Sequence, residues 1–155
     1  MIEVVELKDP TDFKTAANVV RLYEGVFPIA PVLHEVMTGR GLMRMFLACD
    51  GQKPPNIVGA AILKSPETAF PLGADSQPIA WVISDVVTHS SWRKQGVARC
   101  LVTALTGAAI RAGGRIIYLY TEDTNEPAKR LYERTGFSRL KNQGDKAVFV
   151  KLVVE

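Results

Sequence analysis

Between Ile79 and Cys100 a nearly unbroken apolar run gives way to a basic turn and then to small residues. Ile79 to Ile83, resumed at Val86-Val87, reads as a buried strand. Thr88 to Gln95 is a polar turn, and Gly96-Val97-Ala98 opens a helix with Val97, Leu101, Ala104, Leu105 and Ala108 on one face. That order suits phosphate. The first amides of a helix have no intrahelical acceptor, and the helix dipole adds partial positive charge there. Gly96 lets a ligand approach the backbone, Ala98 keeps the next turn slim, and Arg93, Lys94 and Arg99 add mobile charge.

Arg93-Lys94-Gln95-Gly96-Val97-Ala98 also resembles the Arg/Gln-x-x-Gly-x-Gly/Ala signature of the GNAT superfamily of acyl-CoA-dependent N-acetyltransferases. A second block runs Asn125-Glu126-Pro127-Ala128-Lys129-Arg130-Leu131-Tyr132-Glu133-Arg134-Thr135-Gly136-Phe137. It is similar to that family's Asn-x-x-Ala-x-x-Leu-Tyr-x-x-x-Gly-Phe segment. Two blocks in the right order, with a helix and a strand between them, are far more specific than either alone. The match covers the second half of the chain; the first half agrees only in its order of elements. The resemblance implies acetyl-CoA as cofactor. It places Val86 and Val87 on the strand that pairs with the pantetheine arm. It sets Arg93, Lys94, Gln95, Gly96, Val97, Ala98 and Arg99 around the diphosphate, and Asn125 against the pantetheine. Tyr132 takes the family's position for the acid that protonates the departing thiolate. No metal is expected.

Acetyl transfer to an amine needs a deprotonated nucleophile and donors for the developing oxyanion. A lysine-like amine has a pKa near 10.4 and an α-amine near 7.7–8.0. Asp85 is the candidate base, because regular strand alternation sets it on the same face as Val87. A carboxylate that caps a loop or pairs with an arginine is the other reading of Asp85. Glu24 and Glu122 are lesser candidates, and an already neutral amine needs no base. A backbone N–H near Val87, freed by a bulge, is the expected oxyanion donor.

The expected acceptor is a primary amine of a small molecule, attacked directly in a ternary complex. Asp85-Val86-Val87-Thr88-His89-Ser90 resembles a run in glucosamine-6-phosphate N-acetyltransferases, although Ser84 stands where those enzymes carry a glutamate. An amino-sugar phosphate is therefore one alternative. A peptide or protein amine and a non-catalytic acyl-CoA-binding module are the others. His34-Glu35 is not followed by the histidine of a zinc helix, and neither a Gly-x-x-x-x-Gly-Lys loop nor Gly-x-Gly-x-x-Gly occurs. His89 reads as a turn residue, Tyr118 and Tyr120 as core or cleft wall, and Trp92 as shielding or packing.

The 155 residues fit a single domain over 1–155 with a sizeable core. No apolar run nears the ~20 residues of a membrane span, and the acidic, alternating N-terminus is unlike a signal peptide. Cys49 and Cys100 lie far apart with no Cys-x-x-Cys, which argues against a disulfide or zinc site and for a reduced, cytoplasmic setting. A net charge of +3 is too slight to point to nucleic acid. Neither nucleic acid nor membrane is expected as a partner, and a homodimer is left open.

The elements that must position these residues follow from periodicity. Ile2 to Leu7 alternates as a strand; Asp12 caps a helix with a core stripe of Phe13, Ala16, Ala17, Val20, Tyr23 and Phe27. A short helix from Pro31 to Thr38, strands at Leu42 to Ala48 and Asn56 to Lys64, and an irregular loop from Ser65 to Pro78 lead to the Ile79 strand. After the long helix and its Gly113-Gly114 stop come a strand at Arg115 to Thr121 and a helix at Asn125 to Thr135. A hairpin of Phe137 to Leu140 and Ala147 to Val154 closes the chain. The order is β-α-α-β-β-β-α-β-α-β-β. With the resemblance it implies an α/β fold of the α+β type: a single GNAT-like domain whose mixed central sheet has about seven strands, splayed parallel central strands and flanking helices.

Overall fold

The seven strands form one sheet in the order β1-β2-β3-β4-β5-β7-β6, in a computed structural model that describes residues 1–9, 11–39, 41–66 and 80–153. The strands are β1 (Glu3–Glu6), β2 (Met43–Cys49), β3 (Ile57–Lys64), β4 (Ala80–Thr88), β5 (Ile116–Glu122), β6 (Ser138–Arg139) and β7 (Lys146–Leu152). The helices are α1 (Phe13–Leu22), α2 (Ala30–Thr38), α3 (Val97–Arg111) and α4 (Glu126–Arg134). All neighbours are antiparallel except β4 and β5, which are parallel because α3 carries the chain back between them. The expected order of elements is therefore observed. Most of the Ser65 to Pro78 loop, Ile79 and Val154 lie outside the described residues.

Each face of the sheet carries its own core. On one face α3 and α4 cover Phe46, Ala61, Leu63, Ile83, Ile117, Leu119 and Phe149. On the other, α1 and α2 cover Met45, Leu47, Ala60, Ile62 and Val87. A fully buried side chain of this kind contributes about 1.5–3 kcal/mol over leaving it in water. Strands β2 and β3 are thus apolar on both faces and buried along most of their length.

The predicted stripe of α1 is corrected. Asp12 does cap the helix, accepting from the Thr15 N–H at 3.0 Å. The buried residues, however, are Val19 and Tyr23, with Ala16 and Leu22 packed beside them. Phe13 is 73% exposed, and Val20 and Phe27 are exposed too. The helix offers two apolar stripes, and only one can face β3. It also ends at Leu22, so Phe27 lies past the reach of helical periodicity. The other terminators behave as read. Gly113 (φ +90°) and Gly136 (φ +96°) close α3 and α4. In each case the next N–H reaches back five residues, the 6→1 bond of a Schellman motif, Gly114 to Ala109 at 2.8 Å and Phe137 to Tyr132 at 3.1 Å.

The first turn of α3 is seated on β3 at a glycine. A Cβ on Gly59 would lie 2.6 Å from Val97 Cγ1 and 3.0 Å from the Val87 carbonyl oxygen. Gly59→Ala is expected to cost about 1–3 kcal/mol by overpacking. At this size that lowers Tm by about 2–4 °C per kcal/mol. Adding Val97→Ala removes the nearest atom, so denaturant titration should show the double variant losing less than the sum of the two singles. Strictly additive losses would mean that Val97 is not what limits the approach.

Candidate active site

At the end of β4 the chain makes a short 3₁₀ turn, Ser90–Trp92, capped by His89, whose Nδ1 accepts from the Ser91 N–H at 3.1 Å. This is the turn role expected of His89. Trp92 packs against the α3-side core. Gln95 Nε2 donates to the Ser91 carbonyl at 3.2 Å and ties the loop to itself. Lys94 (φ +64°) and Gly96 (φ +84°) are both left-handed, which turns the backbone sharply into α3. The first backbone bond of the helix is Cys100 N–H to the Gly96 carbonyl at 3.0 Å. The amides from Arg93 to Arg99 donate to no described group. No side chain caps this end, its first turn has no acid, and a Cβ on Gly96 would meet nothing within 4 Å. Arg93, Lys94 and Arg99 are exposed, with no carboxylate partner among the described residues. Free amides, open space and unpaired cations fit the diphosphate of a CoA-type cofactor. Val97 contributes only its amide there, because its side chain is buried against Gly59.

Next to this cradle the two parallel strands part. They pair from Ala80–Ile116 to Ile83–Leu119, and then run on separately to Thr88 and Glu122. Backbone groups of Ser84 to Thr88 that point towards β5 have no strand to meet there. The parting begins at a bulge: Ala60 stands opposite Val87 and Ile62 opposite Ser84, so Ala61 faces both Asp85 and Val86. Asp85 is left-handed, with φ +54°. The bulge expected near Val87 is therefore present. It also corrects the reading that Asp85 and Val87 share a face by regular alternation. Val86 now packs with the α3-side core, like Ile83, while Val87 packs with the α1-side core. Asp85 is the extra residue between them.

Asp85 is held from the α1 side. The Tyr23 hydroxyl donates to its carbonyl at 2.5 Å, and Ser84 Oγ donates to its carboxylate at 3.1 Å. Burial, with the Asp85 charge second, pushes the Tyr23 phenol well above its ordinary pKa. The same two causes, in the same order, raise that of Tyr120. Tyr23, Ser84, Asp85 and Tyr120 thus form one cluster on this face. Sequence reasoning put Tyr23 in the core stripe of α1, left Tyr120 as core or cleft wall, and gave Ser84 no role. An i, i+3, i+4 pattern cannot show that a tyrosine's hydroxyl meets a carbonyl 62 residues away.

Tyr132 lies across the sheet, on the α3 side. It is 5% exposed, and its ring meets Phe149 edge-on at 5.5 Å. Burial pushes its phenol up to about 12. Among the described residues its hydroxyl has no hydrogen-bond partner. Asn125 is the cap of α4, with its side-chain oxygen accepting from the Ala128 N–H at 3.2 Å. Its amide NH₂ stays available to a ligand. Of the lesser bases, Glu122 is ion-paired with Lys146. Glu24 is exposed at the rim of a trough of about 470 Å³ lined by Val20, Tyr23, Val26, Phe27 and Ile29. Cys49 and Cys100 are free thiols. Among the described residues no cluster is placed to hold a metal, and no helix is long and apolar enough to cross a membrane.

The model of the acetyltransferase (GNAT) family matches residues 19–137. No curated protein sequence matches the chain. Among solved structures, Arabidopsis thaliana NAA60 in complex with acetyl-CoA is similar with a TM-score of 0.72 at 19% identity, covering 99% of each chain. The ribosomal-protein-S18-alanine N-acetyltransferase from Escherichia coli gives 0.72 at 14% identity, covering 100% of this chain and 96% of that one. The NatC complex bound to Gag peptide and CoA gives 0.71 at 23% identity, covering 98% and 99%. These likenesses concern the fold.

The cradle can be tested by charge. Gly96→Glu puts a carboxylate into the space before the free amides. Calorimetry should show acetyl-CoA affinity falling at least about tenfold, roughly 1.4 kcal/mol. Gly96→Ala adds only the strain of a left-handed alanine, about 1–2 kcal/mol in stability. Unchanged affinity in a folded Gly96→Glu protein would move the cradle elsewhere.

Proposed function

The chain belongs to the acetyltransferase (GNAT) family, and from that premise we propose that it acetylates a primary amine by direct attack in a ternary complex. Acetyl-CoA, the acetyl donor of this family, supplies a thioester carbonyl and leaves as the CoA thiol. The observation that carries the reading is the gap between β4 and β5 beyond Ile83 and Leu119, with the free amides of α3 on one side and Asp85 on the other. Backbone groups of β4 that face the gap, those of Val86 among them, align the pantetheine as a third strand would. A backbone N–H at the bulge donates to the developing oxyanion. The amine nitrogen forms its bond to the carbonyl carbon from the α1 side and gives its surplus proton to Asp85, directly or through water. Tyr132 donates to the sulfur from the α3 side as the carbon–sulfur bond breaks. Its raised pKa keeps the proton in place until it is needed.

The acceptor enters along the trough that Tyr23 shares with the bulge. Its wall is apolar, with Val26 63% exposed and Phe27 beside it, and Glu24 is the acid at its rim. Such a wall suits an amine on an apolar body and offers no cations to a sugar phosphate. A small apolar amine is one reading. The α-amine of a peptide is the second, favoured by the exposure of Val26 and Phe27, which leaves room for residues beyond the first. Two of the similar structures bear on it: one enzyme is named for an alanine of a ribosomal protein, and another complex holds a peptide.

Thiol release over a panel of small amines, amino-sugar phosphates and short peptides tests this reading. Peptides or amines with an apolar group next to the nitrogen should turn over best; preference for sugar phosphates would overturn the acceptor assignment. With the best acceptor, Asp85→Asn should lose most at low pH and recover as the amine loses its own proton. An equal loss at every pH would make Asp85 a structural residue.

Tyr132→Phe keeps the ring against Phe149 and removes one oxygen. Turnover should fall about 10²–10⁴-fold with the KM for acetyl-CoA nearly constant. Because the phenol titrates near 12, it stays protonated through neutral and mildly alkaline pH. The wild-type rate should rise with pH and level off, with no descending limb from Tyr132 below about pH 10. A descending limb that Tyr132→Phe abolishes would contradict the raised pKa.

A further inference from the structure

A second cavity, of about 380 Å³, lies between α3 and the C-terminal end of α4, lined by Arg99, Thr103, Thr106, Arg134, Thr135 and Lys151 among others. Three cations from three elements converge on it, and none has a carboxylate partner among the described residues. Elsewhere Arg44, Lys129, Arg139 and Lys146 are each paired with an acid. Lys151 is held in place, donating to the Thr135 carbonyl at 3.3 Å with its ammonium 5.7 Å from the centre of the Phe137 ring. A Cβ on Gly136 would come within 3.3 Å of that ammonium, so the glycine keeps the approach clear. Like charges gathered without a counter-ion repel, and an anion between them reverses the sign. Two guanidinium forks and nearby hydroxyls suit the several oxygens of a phosphate better than a single carboxylate.

The cavity continues the cradle. Arg99 belongs to both, and at about 1.5 Å per residue Thr103 stands roughly 10 Å along α3 from Gly96. We propose that this cavity is a phosphate-monoester subsite, filled by the ribose 3′-phosphate of CoA or by a free phosphate compound. The first source rests on reading the α3 amides as the diphosphate site.

Calorimetry with CoA and 3′-dephospho-CoA tests it, on wild type and on Arg134→Gln, Lys151→Gln and the double variant. If the cavity takes the 3′-phosphate, wild type should prefer CoA by about ten- to a hundredfold. The double variant should close that gap with its affinity for 3′-dephospho-CoA unchanged. Thr103→Glu, on the exposed side of α3, should do the same without disturbing the Lys151 packing. Equal affinities in wild type, with inorganic phosphate raising the Tm of wild type but not of the double variant, would assign the cavity to a free phosphate compound. Equal affinities with no phosphate effect, or a preference for CoA that survives in the folded double variant, would overturn the proposal. A wild type that binds neither form of CoA would sink the cradle reading instead, and the phosphate arm then decides the cavity alone.

Discussion

One extra residue in β4 governs the site. Two residues facing one across the β3–β4 ladder force Asp85 into a left-handed conformation, which costs an L-residue about 1–2 kcal/mol. The hydrogen bond from Tyr23 to the Asp85 carbonyl offsets part of that cost, since such a bond contributes about 0.5–1.5 kcal/mol net. The register of β3 supplies the rest of the constraint, because Ala60 and Ile62 are fully buried and cannot slide. Beyond the bulge β4 no longer tracks β5, and a parallel pair becomes a cleft with unpaired backbone on its wall. A regular β4 would have closed the gap and left nothing for a thioester to lie against.

The sheet then separates two environments. On the α3 and α4 face are free helix amides, unpaired cations and a buried phenol. On the α1 face are an apolar trough, a carboxylate and two more phenols raised by burial and by that carboxylate. Tyr132 packs with the α3-side core, whereas Asp85 is held from the α1 side by Tyr23, so the two side chains approach the cleft from opposite faces of the sheet. The same partition assigns the phosphate-rich ligand to one side and the amine to the other, consistent with a ternary complex.

Much of this was legible in the sequence. The α3 start showed because a glycine, small residues and cations occupy a strand-to-helix turn. Gly113 and Gly136 showed because a left-handed exit favours glycine. Strand β4 showed as a nearly unbroken apolar run. What stayed hidden depends on tertiary choices. Helix α1 carries two apolar stripes of similar quality, and only docking on β3 decides that Val19 and Tyr23 go in while Phe13 stays out. A bulge near Val87 was expected, but alternation could not show that Asp85 is itself the extra residue, held from the α1 side by Tyr23 and not by a regular strand position. Tyr23 and Tyr120 carried no motif; their roles arise from where the chain folds back.

The helix starts differ in how open they are to an anion. All helices present unpaired amides and a positive dipole end, yet each start is treated differently. At α1 the Asp12 carboxylate occupies that position. At α4 the Asn125 oxygen caps the turn, and Glu126 and Asp123 hold Lys129 in ion pairs, so an incoming phosphate meets negative charge. At α2 the first turn carries Pro31 and apolar neighbours, which remove a donor and exclude a hydrated ion. Only α3 combines an uncapped start, no acid in its first turn, and unpaired cations on both sides of Gly96. Of the cations on α4, Lys129 is held by Glu126 and Asp123, while Arg134, at the far end of the helix, lines the cavity shared with Arg99 and Lys151.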